Sequence, residues 1–143
     1  MGTLGDELIK HIPPQQREVW FVEDSQVTMH SDGRVNKHKR PVLIVSSKIY
    51  LTNKNYPFIH AIPLSTQTQL DKFIFPIERS YIDIVENFQP DKDSCAIIPL
   101  YQPLELKYIK DRCGKIDETC FHAIFYILVN EVIGYENYDL DID

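Results

Sequence analysis

The sequence is poor in the residues that build disulfide frameworks and metal centres. It has three cysteines, Cys95, Cys113 and Cys120, and an odd number without close spacing is not typical of a disulfide framework. Cys113 and Cys120 are seven residues apart, which is not the spacing of a zinc knuckle. The five histidines form no HExxH pair. We therefore expect reduced thiols, with Cys95 and Cys120 in the core, and neither a metal site nor another cofactor.

Long apolar segments and an excess of positive charge are also absent. No apolar run approaches the roughly 18–20 residues that span a bilayer, and residues 1–14 lack the apolar core of an export signal. We therefore expect a cytoplasmic protein without membrane association. The chain has 15 Lys and Arg against 21 Asp and Glu, a net charge of −6. This balance predicts weak nonspecific affinity for long duplexes, because phosphate contacts depend on Lys and Arg.

What the sequence does contain is a series of short apolar segments. Its 143 residues, 43% of them hydrophobic, suit a single domain. The segments alternate with Pro, Asn and polar residues, a pattern that favours a small antiparallel barrel or sandwich. Strands are predicted at 18–22, 41–46, 58–64, 73–77 and 94–100, with a weaker one at 104–109. Pro76 places the fourth of these at an edge or a bulge.

One helix is predicted near the C-terminus, over residues 119–133. Asp117 is suited to its N-cap, and Gly134 is suited to the residue just after its end. Apolar residues cover so much of its circumference that it must be buried on more than one side. This breadth predicts packing on the sheet together with contact to a second subunit. The tail, residues 136–143, has four acids and no base and is expected to fray.

A basic stretch leads into the second predicted strand. Arg34, Lys37, Lys39 and Arg40 lie within seven residues, with no acid between them. Arg40 directly precedes Pro41 and a buried strand, which biases its backbone towards extended geometry. A guanidinium anchored in this way is suited to bidentate contact with phosphate. The alternative interpretation is a solvated basic loop.

A polar stretch follows the third predicted strand and begins with Ser65, Thr66 and Gln67. Its hydroxyls and amides can donate hydrogen bonds to phosphate oxygens or base edges. A polar turn that satisfies its own backbone has the same composition. Tyr56, more than Phe58, is a candidate for stacking on an unpaired base.

Taken in order, these segments resemble the PemK/MazF family of toxins from type II toxin–antitoxin modules. The resemblance runs from about residue 16 to 134, which implies one domain over 1–143 with an N-terminal extension and an acidic C-terminal tail. It implies a mainly β (α+β) fold, a small SH3-like β-barrel of the MazF/CcdB type with a C-terminal helix. It also implies a homodimer and a cognate antitoxin partner. The matching pieces are Glu18-Val19-Trp20, Arg40 to Val45, Pro63 to Gln67, Asp93-Ser94 and Gln102-Pro103.

The resemblance also implies an activity, the metal-independent and sequence-specific cleavage of single-stranded RNA. The ribose 2′-OH attacks the adjacent phosphate, giving a 2′,3′-cyclic phosphate and a free 5′-OH. The catalytic residues of the MazF branch are the Arg before the Pro and the Ser or Thr that opens the polar stretch, which map to Arg40 and Ser65. Residues expected to contact the RNA are Arg34, Lys37, Lys39, Thr66, Gln67, Tyr56 and Gln102.

The sequence departs from this family at several positions. Arg17 stands where a Gly usually precedes the acid of the first strand, and the segment 24–39 is longer than usual. Pro99 and Tyr101 replace an Arg and an acid of the PemK branch, and Leu104 replaces a basic residue. Two other interpretations are kept. One is a non-catalytic module on the same barrel, either a degenerate toxin that binds RNA or a relative of the gyrase-binding CcdB. The other is an unrelated small β domain.

Overall fold

The computed structural model describes residues 14–30, 38–66, 71–85 and 95–135. These residues form one antiparallel sheet of eight strands and two α-helices. The strands are β1 (Glu18–Glu23), β2 (Lys39–Ile44), β3 (Phe58–Ser65), β4 (Ile74–Pro76), β5 (Ile82–Val85), β6 (Cys95–Ile97), β7 (Gln102–Glu105) and β8 (Ile109–Ile116). The helices are α1 (Lys48–Leu51) and α2 (Glu118–Tyr126), and α2 continues as π-helical turns over Ile127–Ile133. Short 3₁₀ turns lie at Asp24–Gln26, Arg79–Tyr81, Ile98–Leu100 and Leu106–Tyr108.

The sheet curls at β3, which pairs with three strands, β2, β6 and β7. The strand order is β4-β6-β3-β2-β1-β8-β5, and β7 also pairs with β3. The last residues of β3, Leu64 and Ser65, pair with β6, whereas residues 58–61 pair with β7. The result is a half-barrel with a C-terminal helix, which confirms the predicted mainly β, α+β class. β4 is an edge strand and contains Pro76, as predicted.

The core lies on both faces of the central strands. The helix-side core packs between the sheet and α2 and includes Val19, Leu43, Ile62 and Ile124. The second core, on the other face, consists of Val22, Val27, Val42, Ile44, Ile59, Ala61 and Leu104. Side chains of a strand alternate between faces, so β2 contributes to both cores. This explains why residues 41–45 read as a continuous apolar run.

The C-terminal helix begins and ends as predicted. The Asp117 carboxylate accepts a hydrogen bond from the Cys120 N–H at 2.7 Å, and Gly134 has the left-handed φ of +55°. The predicted helix is α-helical only as far as Tyr126, and a 3.6-residue pattern does not distinguish the π-helical turns that follow. One face packs on the sheet. The other leaves Phe125, Tyr126, Val129 and Ile133 exposed.

Several elements differ from their predicted bounds. The predicted strand at 94–100 is extended only over Cys95–Ile97, because Pro99 lies in a 3₁₀ turn. The weak strand at 104–109 is divided between β7 and β8 by a second such turn. β5, β8 and α1 were not predicted. The expected N-terminal extension and acidic tail lie outside the described residues, apart from the few residues that follow position 13.

All three cysteines are buried with free thiols. Cys113 packs inside the sheet, where its Sγ donates to the Val19 carbonyl at 3.1 Å. Burial, together with the nearby Asp117 carboxylate, raises the pKa of the Cys120 thiol to about 12, so this thiol is a core group and not a nucleophile. None of the described helices is long and apolar enough to cross a membrane.

Candidate active site

Arg40 is a buried arginine in the second position of β2, with 2% of its surface exposed. Its Nε donates to Asp24 Oδ1 at 2.6 Å, and its Nη1 donates to the Leu64 carbonyl at 3.4 Å. The Asp24 side chain is likewise 2% exposed. Burying a single charge is costly and burying an opposite, hydrogen-bonded pair is tolerated. The carboxylate is therefore what allows the guanidinium to lie inside the protein.

Asp24 is supplied by the residues that directly follow β1. It opens the 3₁₀ turn Asp24–Gln26, and its backbone N–H donates to the His38 carbonyl at 3.4 Å. Residues 24–30, which we call the strap, run over the second core. Val27 is buried in that core and Met29 packs against it. The strap thus brings a carboxylate and two apolar side chains onto the face that holds Arg40.

Gln102 fastens the strap to β7. Its Oε1 accepts from the Thr28 N–H at 2.8 Å, and its Nε2 donates to the Thr28 carbonyl at 3.0 Å. The same Nε2 also donates to the Leu100 carbonyl at 2.9 Å. In this conformation the amide is engaged with backbone groups, so a contact between Gln102 and RNA stays a prediction.

Ser65 lies beside Arg40 at the end of β3. The β2–β3 ladder pairs Val42 with Pro63, two residues from Arg40 and from Ser65, and Arg40 Nη1 donates to the carbonyl of Leu64, the residue before Ser65. Val42 and Ala61 both contribute to the second core. Alternation along each strand places Arg40 on the face of Val42 and Ser65 on the face of Ala61. This alternation favours a common face for the two residues predicted to be catalytic, and the observed contact of Arg40 is with Leu64, the residue before Ser65.

Ser65 is half-buried, and Thr66 beside it is exposed. Within the described part of the chain, Ser65 Oγ bonds to the Thr66 carbonyl at 3.4 Å and not to a base. A serine without a base beside it serves as a hydrogen-bonding group rather than an activated nucleophile. The arrangement joins one fixed cation to one adjustable hydroxyl donor, a combination suited to an anionic ligand.

The other predicted RNA contacts are distributed differently. Lys39 is exposed, and its Nζ lies 4.1 Å from the centre of the Phe21 ring. Tyr56 is 55% exposed and stacks on Tyr50, with ring centres 6.0 Å apart. It precedes β3, so the length of that strand, about 24 Å for seven steps, separates it from the Ser65 end. Arg34, Lys37 and Gln67 lie outside the described residues.

Sequence reasoning missed Asp24, Leu64 and the strap function of Gln102. Asp24 could have been found from the sequence, because this acid directly follows β1 and the basic residue Lys39 begins β2. Among the described residues, no group of three or more His, Cys, Asp or Glu side chains is placed to hold a metal ion.

The fold resembles that of MazF endoribonucleases. MazF from Deinococcus radiodurans superposes with a TM-score of 0.63 at 12% identity, over 86% of this chain and 98% of MazF. An endoribonuclease from Mycobacterial species, in complex with its cognate antitoxin, superposes with a TM-score of 0.60 at 15% identity, over 87% of this chain and 98% of the endoribonuclease. A MazE–MazF structure from Deinococcus radiodurans superposes with a TM-score of 0.60 at 12% identity, over 87% of this chain and 98% of the matched chain. No family model matches the sequence, and no curated protein matches it.

At these identities the likeness concerns the fold. It covers more than four fifths of the chain and includes the curled sheet and the C-terminal helix. The expected barrel type, that of MazF, is therefore confirmed.

Proposed function

We propose that this protein is a toxin-like endoribonuclease that cleaves single-stranded RNA, with Arg40 and Ser65 in its active site. The fold is that of proteins described as endoribonucleases. The observation that carries the proposal is the contact of the Arg40 guanidinium with the carbonyl of Leu64, directly beside Ser65. This contact supports a site in which Arg40 and Ser65 act together.

The chemistry follows from these two groups. The ribose 2′-OH attacks the phosphorus of the adjacent 3′-phosphodiester and loses its proton. The bond between phosphorus and the 5′-oxygen of the next nucleotide breaks, and that oxygen gains a proton. Negative charge grows on the non-bridging oxygens, where the Arg40 guanidinium stabilises it and Ser65 Oγ donates a hydrogen bond. Fixed donors of this kind contribute about 3–4 kcal/mol each to such transition states. The proposed reaction uses no metal ion.

Further RNA contacts are proposed from the groups around this pair. Lys39 and Thr66 are exposed near the same end of β2 and β3, and Arg34, Lys37 and Gln67 extend the set predicted from the sequence. A cognate antitoxin is proposed as the protein partner, because neighbours of this fold are described in complex with theirs. The exposed apolar residues of α2 and its π-helical extension support a homodimer. The proposed location is the cytoplasm.

A second candidate function is binding of RNA without cleavage. It is favoured by one observation, the burial of Arg40 against Asp24. If this ion pair never opens, the guanidinium cannot reach a phosphate and the barrel serves as a binding module.

The test is incubation of the purified protein with single-stranded RNA in the presence of a chelator. The proposal predicts fragments that end in a 2′,3′-cyclic phosphate and a 5′-OH, with cleavage reduced about 10²-fold or more in Ser65→Ala. Ser80→Ala, at an exposed serine outside the proposed site, is the control and keeps full activity. Intact RNA after incubation with the wild type, together with measurable RNA binding, supports the second candidate instead.

A further inference from the structure

We propose that Asp24 occupies the position at which the RNA phosphate binds, so that the strap is an internal competitor of the substrate. This inference rests on the proposed function, and it adds a residue to the site that neither the sequence pattern nor the fold assigns. Its basis is the geometry around Arg40.

The Asp24 carboxylate has the chemistry of the group it would replace. Carboxylates and phosphates both accept charge-assisted hydrogen bonds from a guanidinium. Asp24 Oδ1 lies 2.6 Å from Arg40 Nε, and each side chain is 2% exposed. A phosphate oxygen cannot reach this Nε while the carboxylate lies there. Binding of a phosphate oxygen at this Nε therefore requires Asp24 to leave.

The exchange keeps Arg40 paired throughout. A phosphodiester carries one negative charge, as the carboxylate does, so exchanging one for the other leaves the charge supplied at this position unchanged. The contact with the Leu64 carbonyl comes from β3 and does not depend on the strap. Arg40 is thus held beside Ser65 in both states, and only its anionic partner changes.

The contacts of the strap are those of a segment that can open locally. The two hydrogen bonds between Gln102 and Thr28, which tie the strap to β7, are exposed to solvent. Solvent-exposed backbone contacts are characteristic of regions with low local stability. The apolar contribution is limited to Val27, which is buried, and Met29, which is partly buried. Opening of residues 24–30 leaves the β2–β3 ladder unchanged.

The test compares two neighbouring acids by measuring affinity for a short single-stranded oligonucleotide whose 2′-O-methyl groups prevent cleavage. Asp24→Asn keeps the size of the side chain and removes its charge, and we expect it to bind about 5- to 100-fold more tightly than the wild type. Glu23→Gln is the matched control. It removes the same charge from a side chain that is 43% exposed and lies 3.7 Å from Lys110, and we expect a change of less than about twofold.

A second variant releases the strap without altering its charge. Gln102→Leu removes both hydrogen bonds to Thr28 and leaves the Arg40–Asp24 pair in place. If the strap competes with RNA, this variant binds the oligonucleotide more tightly. If Gln102 instead contacts RNA, it binds more weakly, so the two roles of Gln102 predict opposite signs.

The outcomes separate this inference from the proposed function. An Asp24→Asn variant that is folded and binds no more tightly than the wild type overturns the competitor, while RNA cleavage by the wild type still supports the enzyme. Tighter binding by Asp24→Asn in a protein that cleaves nothing supports the competitor and overturns the enzyme. If Asp24→Asn does not fold, the sign of the change in Gln102→Leu decides.

Discussion

Two arginine–carboxylate pairs lie at the two ends of β1, and they differ in how much of their charge is exposed to water. Arg112 Nη1 donates to Glu18 Oε2 at 2.9 Å, with 39% of the arginine side chain and 6% of the glutamate exposed. Arg40 and Asp24 are 2% exposed each. In the first pair the arginine keeps contact with water, whereas in the second both charges are removed from it.

The surroundings of the two carboxylates explain this difference. Glu18 also accepts hydrogen bonds from the Gln15 N–H at 2.6 Å and from Trp20 Nε1 at 3.1 Å. It ties the chain before β1 to β1 and β8, which is a structural function. The Arg40–Asp24 pair lies at the end of β2, beside Ser65. A buried ion pair is weak evidence for a stabilising role, since well-packed apolar residues often replace one without loss of stability. We therefore assign this pair to function.

The largest expected effect is on the free energy of unfolding when the arginine of each pair is replaced. Arg40→Ala leaves the Asp24 carboxylate buried without this guanidinium, and we expect a loss of about 3–5 kcal/mol in the free energy of unfolding. Arg112→Ala removes a partly solvated arginine and leaves Glu18 its other donors, so we expect a loss of about 1 kcal/mol or less. Urea unfolding of both variants measures the contrast. Equal losses would contradict the distinction between the two pairs.

The next effect separates catalysis from stability at the Arg40 end. Ser65→Ala changes a half-buried hydroxyl whose described partner is the neighbouring carbonyl of Thr66, so we expect a change within about 0.5 kcal/mol in the free energy of unfolding. Its RNA cleavage is expected to fall about 10²-fold. Unfolding and cleavage measured on the same preparation give the result. A large loss of stability with a proportionate loss of activity would make Ser65 a structural residue.

Cys120 extends the comparison to a buried group whose neighbouring charge opposes ionisation. Burial and the Asp117 carboxylate raise the pKa of this thiol to about 12, whereas in the unfolded chain it is about 8.5. The folded state therefore keeps the proton between these values and the unfolded state loses it. Stability is unaffected below about pH 8 and falls above about pH 9, by at most about 1.4 kcal/mol per pH unit.

Unfolding measured between pH 8 and 10.5 in the wild type and in Cys120→Ala tests this effect. The free energy of unfolding is expected to fall less steeply with rising pH in the variant, because the variant has no thiol at this position. The same slope in both proteins would show that Cys120 ionises equally in the folded and unfolded states.

The smallest effect concerns the backbone next to Glu18. Arg17 has a φ of +76°, a conformation that costs residues with a Cβ about 1–2 kcal/mol. Glycine adopts it freely but loses more entropy on folding, so Arg17→Gly is expected to stabilise the fold by about 0.5–1 kcal/mol. Arg17→Ala keeps the strain and removes the 3.4 Å contact with the exposed Glu118. We expect it to change stability by less than about 0.5 kcal/mol, and thermal unfolding of both variants measures the difference.

The same Arg17 shows what a resemblance in sequence was able to anticipate. The family pattern has Gly at this position, and the structure shows the left-handed backbone that favours one. β2 was predicted well because both of its faces are buried. β8 was missed because it reads IKDRCGKI, in which three charged residues, 110–112, precede the buried Cys113 and a fourth, Lys115, precedes the buried Ile116. Its strand character comes from pairing with β1 and β5, which no local pattern reports.

At the candidate site, the sequence predicted the position of Arg40 but not its environment. Pro41 was sufficient to indicate an anchored, extended arginine. The partner Asp24 is 16 residues away, at the start of the segment 24–39, for which the sequence indicated only an unusual length. Its proximity follows from the β1–β2 register, which sets Glu23 opposite Lys39. Burial of the pair then depends on the tertiary packing of the strap.

The most direct test of the account is the rate of RNA cleavage, in the presence of a chelator, by Arg40→Lys compared with Arg112→Lys. Both variants keep the positive charge and lose the planar fork of the guanidinium. We expect the rate to fall about 10²-fold or more for Arg40→Lys and to stay at the wild-type value for Arg112→Lys. Wild-type cleavage by a folded Arg40→Lys variant would contradict the assignment of Arg40 to the active site.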